Sequence, residues 1–310
     1  MESKDTAAKS LLTLSHDLAE AVARAGAGVV AINARERIPS SGLIWREGVA
    51  VTAAHTIKRD GDITVRLPDG RTATAILAGR DPSTDIAVLK VAEAGLSPVA
   101  IGDASALRVG HLVLAVGRVS ERGVSASLGI VSSLGGEWRT WRGGRIDQFI
   151  RLDMGIYDGF SGSPLVDSQG RVVGINTSGL VRGGAFTIPA STVSRVVDEL
   201  LARGHVVRAY IGVGMQPVPL PDSVKSRLNL ANASGVMVLS TEPGGPADRA
   251  GLLIGDLLVA LDGATVADTD DVQAALGPEL VGQDLNATVI RAGELTRLTI
   301  RVGERPARGR

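Results

Sequence analysis

A chain of 310 residues fits two domains at about 100–200 residues each and excludes a lone small module. Apolar residues at 44% and charged residues at 21% supply enough to bury a core, which excludes intrinsic disorder and fibrous repeats. Lys plus Arg and Asp plus Glu both number 33, so the formal charge is zero and the basic footprint of a nucleic-acid binder is missing; the lack of cysteine excludes disulfides, thiolate zinc sites and cysteine nucleophiles.

Residues 6–25 place apolar side chains at Leu11, Leu12, Leu14, Leu18, Ala21, Val22 and Ala25, near the helical period, and predict one amphipathic helix. That stretch holds no signal-peptide core of about 7–15 apolar residues, and no later run of about 18 uncharged apolar residues predicts a membrane span. The chain as it stands is therefore expected in the cytoplasm, or in the cell envelope if a leader has been removed. From Val29 the texture changes to short β-branched runs broken by glycine, among them VVAIN, VAVTAA, IAVLKV, LVLAVG and RVVGINT. With 39 glycines and turn signals such as Pro68-Asp69-Gly70, these runs predict a mainly β fold, an antiparallel barrel or sandwich rather than βαβ units. STVSRVVDELLAR, residues 191–203, starts on Ser/Thr caps and ends before Gly204, predicting a helix that closes the first domain. A second domain is expected from about Tyr210 to Val302, with further strands and helical stretches at 245–250 and 270–276, before a solvated tail.

Three local motifs carry chemistry. TAAH sets His55 at the end of a strand, DPSTDIAVL sets Asp85 at the start of one, and GFSGSP sets Ser161 in a glycine turn. Each alone reads as ordinary structure: a surface histidine, a capping aspartate, a turn. Together they stand in the order that serine nucleophilic catalysis uses in chymotrypsin-type barrels, a base to take the serine proton and a carboxylate to hold the base in one tautomer. The four histidines, His16, His55, His111 and His205, show no metal-ligand spacing, so neither a metal nor another cofactor is expected.

These strings, with AIGDASALRVGHLVLAVG, SLGIVSSLGG and LVDSQGRVVGINTS between and after them, resemble the HtrA/Deg family of trypsin-like serine proteases carrying a PDZ domain. The resemblance spans roughly residues 28–303 and implies a chymotrypsin-like double antiparallel β-barrel over 28–207 and an α+β PDZ domain over 208–303. An N-terminal amphipathic helix precedes them in 1–27 and a tail follows in 304–310. It implies His55 as general base, Asp85 as its orienting carboxylate, Ser161 as nucleophile, and the N–H groups of Gly159 and Ser161 as the oxyanion hole. Gly155, Ile156 and Ile188 are expected to line the primary specificity pocket and favour an aliphatic side chain, while Asp153 and Asp158 leave a basic preference open. The family usually has Asn before the nucleophile and Gly two residues after it; this chain has Phe160 and Ser163. Phe160 either orders the oxyanion turn from beneath or holds it in an unproductive shape. Gly117-Arg118-Val119-Ser120 likewise replaces a common Gly-Asn-Pro, and Ser40-Ser41-Gly42 a Gly-Ser-Gly.

EPGGPADRAGLLIGD, residues 242–256, matches the P-A-x-x-A-G-L-x-x-G-D pattern of bacterial PDZ domains. Such domains capture C-terminal peptides by strand addition, with backbone N–H groups receiving the carboxylate. The resemblance implies Tyr210, Ile211, Gly212 and Val213 as that loop; Val272 and Leu276 either wall its side-chain pocket or belong to the core. The implied function is ATP-independent endoproteolysis of unfolded or damaged protein under PDZ regulation, in a homotrimer joined through N-terminal segments. A catalytically idle scaffold or holdase on the same fold is the alternative.

Overall fold

The computed structural model describes residues 2–93, 95–120, 123–181 and 185–305. Residues 306–310 of the expected tail, and 182–184 of the segment expected to flank the specificity pocket, lie outside them. The chain divides into two compact units, 1–206 and 207–310.

The first unit opens with helix α1 (Glu2–Gly26), longer at its start than the expected 6–25. Strands β1 (Val29–Asn33), β2 (Ser40–Arg46), β3 (Val49–Ala53), β4 (Ile63–Arg66), β5 (Thr72–Asp81) and β6 (Ile86–Val91) form a closed barrel in the order β1-β2-β3-β6-β5-β4. A second closed barrel holds β7 (Leu112–Ser120) and β8 (Gly123–Gly135), then, beyond the short hairpin β9 (Trp138–Arg139) and β10 (Arg145–Ile146), β11 (Phe149–Asp153), β12 (Pro164–Val166), β13 (Val172–Thr177) and β14 (Ala185–Pro189). Its order is β11-β14-β13-β12-β7-β8. Helix α2 (Ala190–Arg203) follows and stops on Gly204, whose left-handed backbone donates its N–H to Leu200 O.

The period of two in β6 explains its unbroken apolar run. Ala87 and Leu89 point into the first barrel beside Val30, Ile32 and Val65, while Ile86 and Val88 point out into a second core. That second core joins both barrels to α1 and α2 through Leu43, Val116, Ile175, Phe186, Val193 and Val197, and each fully buried aliphatic side chain contributes roughly 1.5–3 kcal/mol. Closure removes free strand edges, and it sets the two barrels on either side of a shared apolar seam.

The second unit has a two-stranded pairing of β15 (Ala209–Tyr210) with β22 (Gly303–Glu304) and a larger antiparallel sheet. The sheet contains β16 (Val213–Pro219), β17 (Ser234–Thr241), β18 (Leu257–Leu261), β20 (Asp284–Arg291) and β21 (Glu294–Arg301) in that order, with β19 (Ala264–Thr265) beside β18. Helices α4 (Pro246–Arg249) and α5 (Thr269–Ala275) fall where expected. Helix α3 (Asp222–Leu228) was not expected from the sequence; it begins after Pro221 and ends on Asn229 in the left-handed region.

Candidate active site

The register of the first barrel brings the histidine and the aspartate together. Ala53 pairs with Ile86 across β3 and β6, so the turn 54–56 that follows β3 faces the residue preceding β6. Ala54 N donates to Asp85 O at 2.9 Å, and His55 N donates to Asp85 Oδ1 at 2.8 Å. Asp85 has φ 59°, a left-handed conformation that aspartate tolerates better than most side chains. The loop before it is held by a second buried carboxylate: Asp81 accepts from Ser83 N, Ser83 Oγ and Thr84 Oγ1.

Asp85 is 3% exposed, and its Oδ2 lies 2.7 Å from His55 Nδ1. Thr177 Oγ1, at the end of β13, donates to the same oxygen and accepts from Gly179 N at 2.8 Å. With Oδ2 facing Nδ1, the carboxylate accepts the imidazole N–H there and leaves Nε2 with its lone pair aimed elsewhere. The second barrel supplies Ser161, 8% exposed, on the loop between β11 and β12. Its Oγ lies 3.1 Å from Ser178 Oγ, and among the described residues it has no hydrogen bond to His55.

The turn around Ser161 is fixed from below and from the side. Gly162 N donates to Asn176 O and Asn176 N to Ser163 O, both at 2.8 Å. The Asn176 side chain donates to Ser163 Oγ at 3.2 Å and accepts from Thr187 Oγ1 at 2.8 Å, all three residues fully buried. Gly159 has φ 88° and Gly162 φ 89°; a Cβ on the first would strike Val119 and on the second Ser41 O and Thr52, so both positions require glycine. Ser41 N donates to Gly159 O at 2.7 Å, and Ser41 Oγ accepts from Arg118 N at 3.0 Å. Arg118 in turn donates through Nε to Val29 O and through Nη2 to Gly26 O. Burial, with Arg66 nearby, pushes its guanidinium below the ordinary arginine value. Arg118, a departure from the family pattern, and Ser41, which keeps it, thus brace the turn together.

Phe160 is buried beneath β7, with its ring where a side chain on Gly117 would stand and Tyr157 edge-on at 5.6 Å. Among the described residues no acceptor takes the N–H of Gly159 or Ser161, so both donors are free for an oxyanion. Gly155 is exposed and Ile156 half-buried beside Met154. Ile188 is not brought to them: the period of two in β14 turns it with Phe186 into the shared core, at 0% exposure, and gives the other face to Thr187.

In the second unit Ile211 O and Gly212 O accept from Ala247 N and Glu242 N, while the N–H groups of Ile211 and Gly212 have no acceptor among the described residues. Tyr210 belongs to β15, and Val213 opens β16, which has β17 on one side and lies at the edge of its sheet. Val272 is 1% exposed and is a core residue, and Leu276 packs half-buried on the same cluster. Sequence reasoning missed Thr177, Ser178 and Asn176, although all lie in the GINTS string it quoted.

A trypsin-like peptidase domain matches residues 40–175 and a PDZ domain residues 209–302. The chain is 38% identical over 272 residues, 85% of its length, to a protein named "Probable periplasmic serine endoprotease DegP-like" from Brucella suis biovar 1, and 35% identical over 279 residues to one of the same name from Halomonas elongata. It spans about half the length of these curated relatives, 52% and 57%. Among solved structures it is similar to the HtrA-type protease AlgW with a decapeptide, at 30% identity and TM-score 0.77, covering 94% of this chain and 99% of that one. It is also similar to a serine endoprotease from Yersinia pestis, at 28% identity and TM-score 0.76, covering 93% and 98%. With both domains matched in order and a solved relative covered almost end to end, the chain belongs to the HtrA family of trypsin-like serine proteases carrying a PDZ domain.

Proposed function

We propose that this protein is a serine endopeptidase of HtrA type that cleaves unfolded or damaged polypeptides, with His55, Asp85 and Ser161 as its catalytic residues. The carrying observation is the His55–Asp85 pair at 2.7 Å, which orients an imidazole as a base, beside a buried serine whose turn offers two free N–H groups. Ser161 Oγ attacks the scissile carbonyl carbon as its proton passes to His55 Nε2. Gly159 N–H and Ser161 N–H stabilise the oxyanion that forms, a single such donor being worth about 3–4 kcal/mol in the transition state. The C–N bond then breaks, the leaving amine takes the proton from His55, and water repeats the sequence on the acyl-enzyme. Ser161 has first to exchange its bond to Ser178 for one to His55.

A fluorophosphonate probe and denatured β-casein test this reading. Wild type is expected to be labelled and to cleave casein, and Ser161→Ala to lose both. No labelling, even with casein and a C-terminal peptide present, overturns it in favour of a scaffold or holdase.

Gly155 and Ile156 support a pocket for a small or medium aliphatic side chain; peptide libraries cleaved after Arg or Lys alone would refute that preference. The free N–H groups of Ile211 and Gly212 beside the edge strand β16 support capture of C-terminal peptides by strand addition, and AlgW has been solved with a decapeptide. Exposed Leu11, Leu12 and Leu14 on α1 support association into a trimer; a mass near 32 kDa by light scattering would overturn it. No helix among the described residues is long and apolar enough to cross a membrane, and the names of the relatives support the cell envelope rather than the cytoplasm, which cell fractionation tests.

A further inference from the structure

Three consecutive residues, the last of β13 and the two that follow it, each touch a different part of the site. Thr177 Oγ1 donates to Asp85 Oδ2. Gly179 lies so close that a Cβ on it would stand 2.7 Å from both Asp85 Oδ2 and His55 Nδ1. Ser178 Oγ lies 3.1 Å from Ser161 Oγ. The first two contacts serve the base. The third must be given up before the reaction described above can begin.

A hydroxyl has one hydrogen to give. If Ser161 gives it to Ser178, none is left for Nε2 of His55; if Ser161 accepts from Ser178, a lone pair of the attacking oxygen is occupied. In the second case its own hydrogen stays free, yet among the described residues Ser161 Oγ makes no bond to His55, so in both cases the nucleophile rests away from its base. Ser161 is buried while Ser178 is exposed, so a polypeptide settling beside the site reaches the Ser178 end of the bond.

We propose that Ser178 is a positioning residue that holds the Ser161 hydroxyl in a resting place until bound substrate displaces it toward His55. The proposal rests on the proteolytic reading of the site. Because the bond is broken before the chemical step, its strength weakens apparent substrate binding and slows reaction of the free enzyme, and it leaves the bound complex's chemistry alone.

The test uses the full chain with Ser178→Ala and Ser178→Thr. A fluorophosphonate is expected to label Ser178→Ala about two- to tenfold faster than wild type, the range that one neutral hydrogen bond spans. With a peptide substrate, KM falls by the same factor while kcat holds, and the pH dependence of labelling keeps its inflection because the His55–Asp85 pair is untouched. Ser178→Thr keeps a hydroxyl at this place and returns labelling toward the wild-type rate. Labelling of Ser178→Ala that is unchanged or slower overturns the proposal, as does a lower kcat at constant KM, the mark of a hydroxyl that assists the transition state or supports the fold. Ser161→Ala separates the two levels of failure. If wild type is labelled and Ser161→Ala is not, such results overturn the resting role alone; if no variant is labelled with or without substrate, the proteolytic reading fails and this role with it.

Discussion

The two halves of the candidate active site are held by different kinds of bond. Asp85 is buried and takes hydrogen bonds from His55 N, His55 Nδ1 and Thr177 Oγ1. Hydrogen bonds to a charged group contribute about 1.5–3 kcal/mol each. Ser161 Oγ, by contrast, shares one neutral bond with Ser178, of about 0.5–1.5 kcal/mol. On the proposed reaction, the base is oriented before substrate arrives, while the nucleophile is held loosely enough to be moved. That division follows from chemistry: the imidazole needs one tautomer throughout the reaction, whereas the serine oxygen has to travel from resting place to carbonyl.

Replacing Asp85 by Asn breaks the rigid half most severely. Asn matches Asp in size but brings an NH2 group where an acceptor is needed, so the ring loses the partner that keeps its proton on Nδ1. The expected fall in kcat is about 10⁴-fold, the scale this change has in such triads, with little change in KM. Steady-state kinetics on a peptide substrate, with circular dichroism to confirm folding, measures it; a fall below tenfold would mean that Asp85 does not orient the base. Thr177→Val keeps the shape and removes one donor to Asp85 and one acceptor for Gly179 N. A fall in kcat of about ten- to a hundredfold is expected, the worth of one charge-assisted bond, with Thr177→Ser restoring most of it. Equal losses in the Val and Ser variants would refute the hydrogen-bonding role.

The rigid and the loose halves differed in how far the sequence disclosed them. His55, Asp85 and Ser161 stood out as candidates because serine catalysis uses those residue types and chymotrypsin-type barrels carry them in that order, each here inside a local motif. An antiparallel barrel or sandwich and the helix ending at Gly204 were readable from apolar runs, glycine turns and a cap, and the family resemblance implied that the barrel is double. Thr177, Ser178 and Asn176 were not: Thr177 meets Asp85 across 92 positions of chain, and only barrel closure decides which hydroxyl turns toward which partner. The same cause explains Ile188, whose apolar character suits a pocket as well as a core until the pairing of Ile175 with Ile188 is known. Helix α3 escaped because seven residues with few apolar positions give little periodic signal.

The second unit offers an independent measure of how firmly a buried carboxylate holds its neighbourhood. Asp256, 2% exposed, accepts from Leu253 N at 2.8 Å and from Arg291 Nε at 2.8 Å and Nη2 at 2.6 Å. Burial pushes its carboxyl up, yet the Arg291 guanidinium and the Leu253 amide outweigh burial and hold it below the ordinary carboxylate value. A depressed value in the fold means that the stabilisation is fully present above the unfolded carboxylate value of about 4 and is lost as pH falls through the folded one. Asp256→Asn is expected to lower the local stability by about 1–3 kcal/mol at pH 7, since it removes the charge-assisted bonds from Arg291, which stays partly solvated and bonded to Gly251 O. Hydrogen exchange at the Leu253 amide in the intact chain, at pH 7 and at about pH 3, reads both effects. The gap between wild type and variant should hold down to about pH 4 and narrow below it; a gap independent of pH would show that shape rather than charge holds this turn.

Ser163→Gly is the mildest change and probes the floor beneath the nucleophile. Ser163 Oγ accepts from Asn176 Nδ2, while Asn176 Oδ1 accepts from Thr187 Oγ1, so removing it leaves a buried amide hydrogen unpaired at a cost of about 1–2 kcal/mol. The backbone bonds from Gly162 N to Asn176 O and from Asn176 N to Ser163 O survive the change and continue to hold the turn. Thermal unfolding should therefore fall by a few degrees while kcat on a peptide substrate stays within about twofold. A kcat loss above tenfold would mean that the side-chain network, not the backbone, holds the Gly159 and Ser161 amides in the arrangement proposed for the oxyanion hole. The turn would then be as dependent on a neutral hydroxyl as the nucleophile above it, and the contrast between a rigid base and a movable serine would extend to the whole second-barrel side of the site.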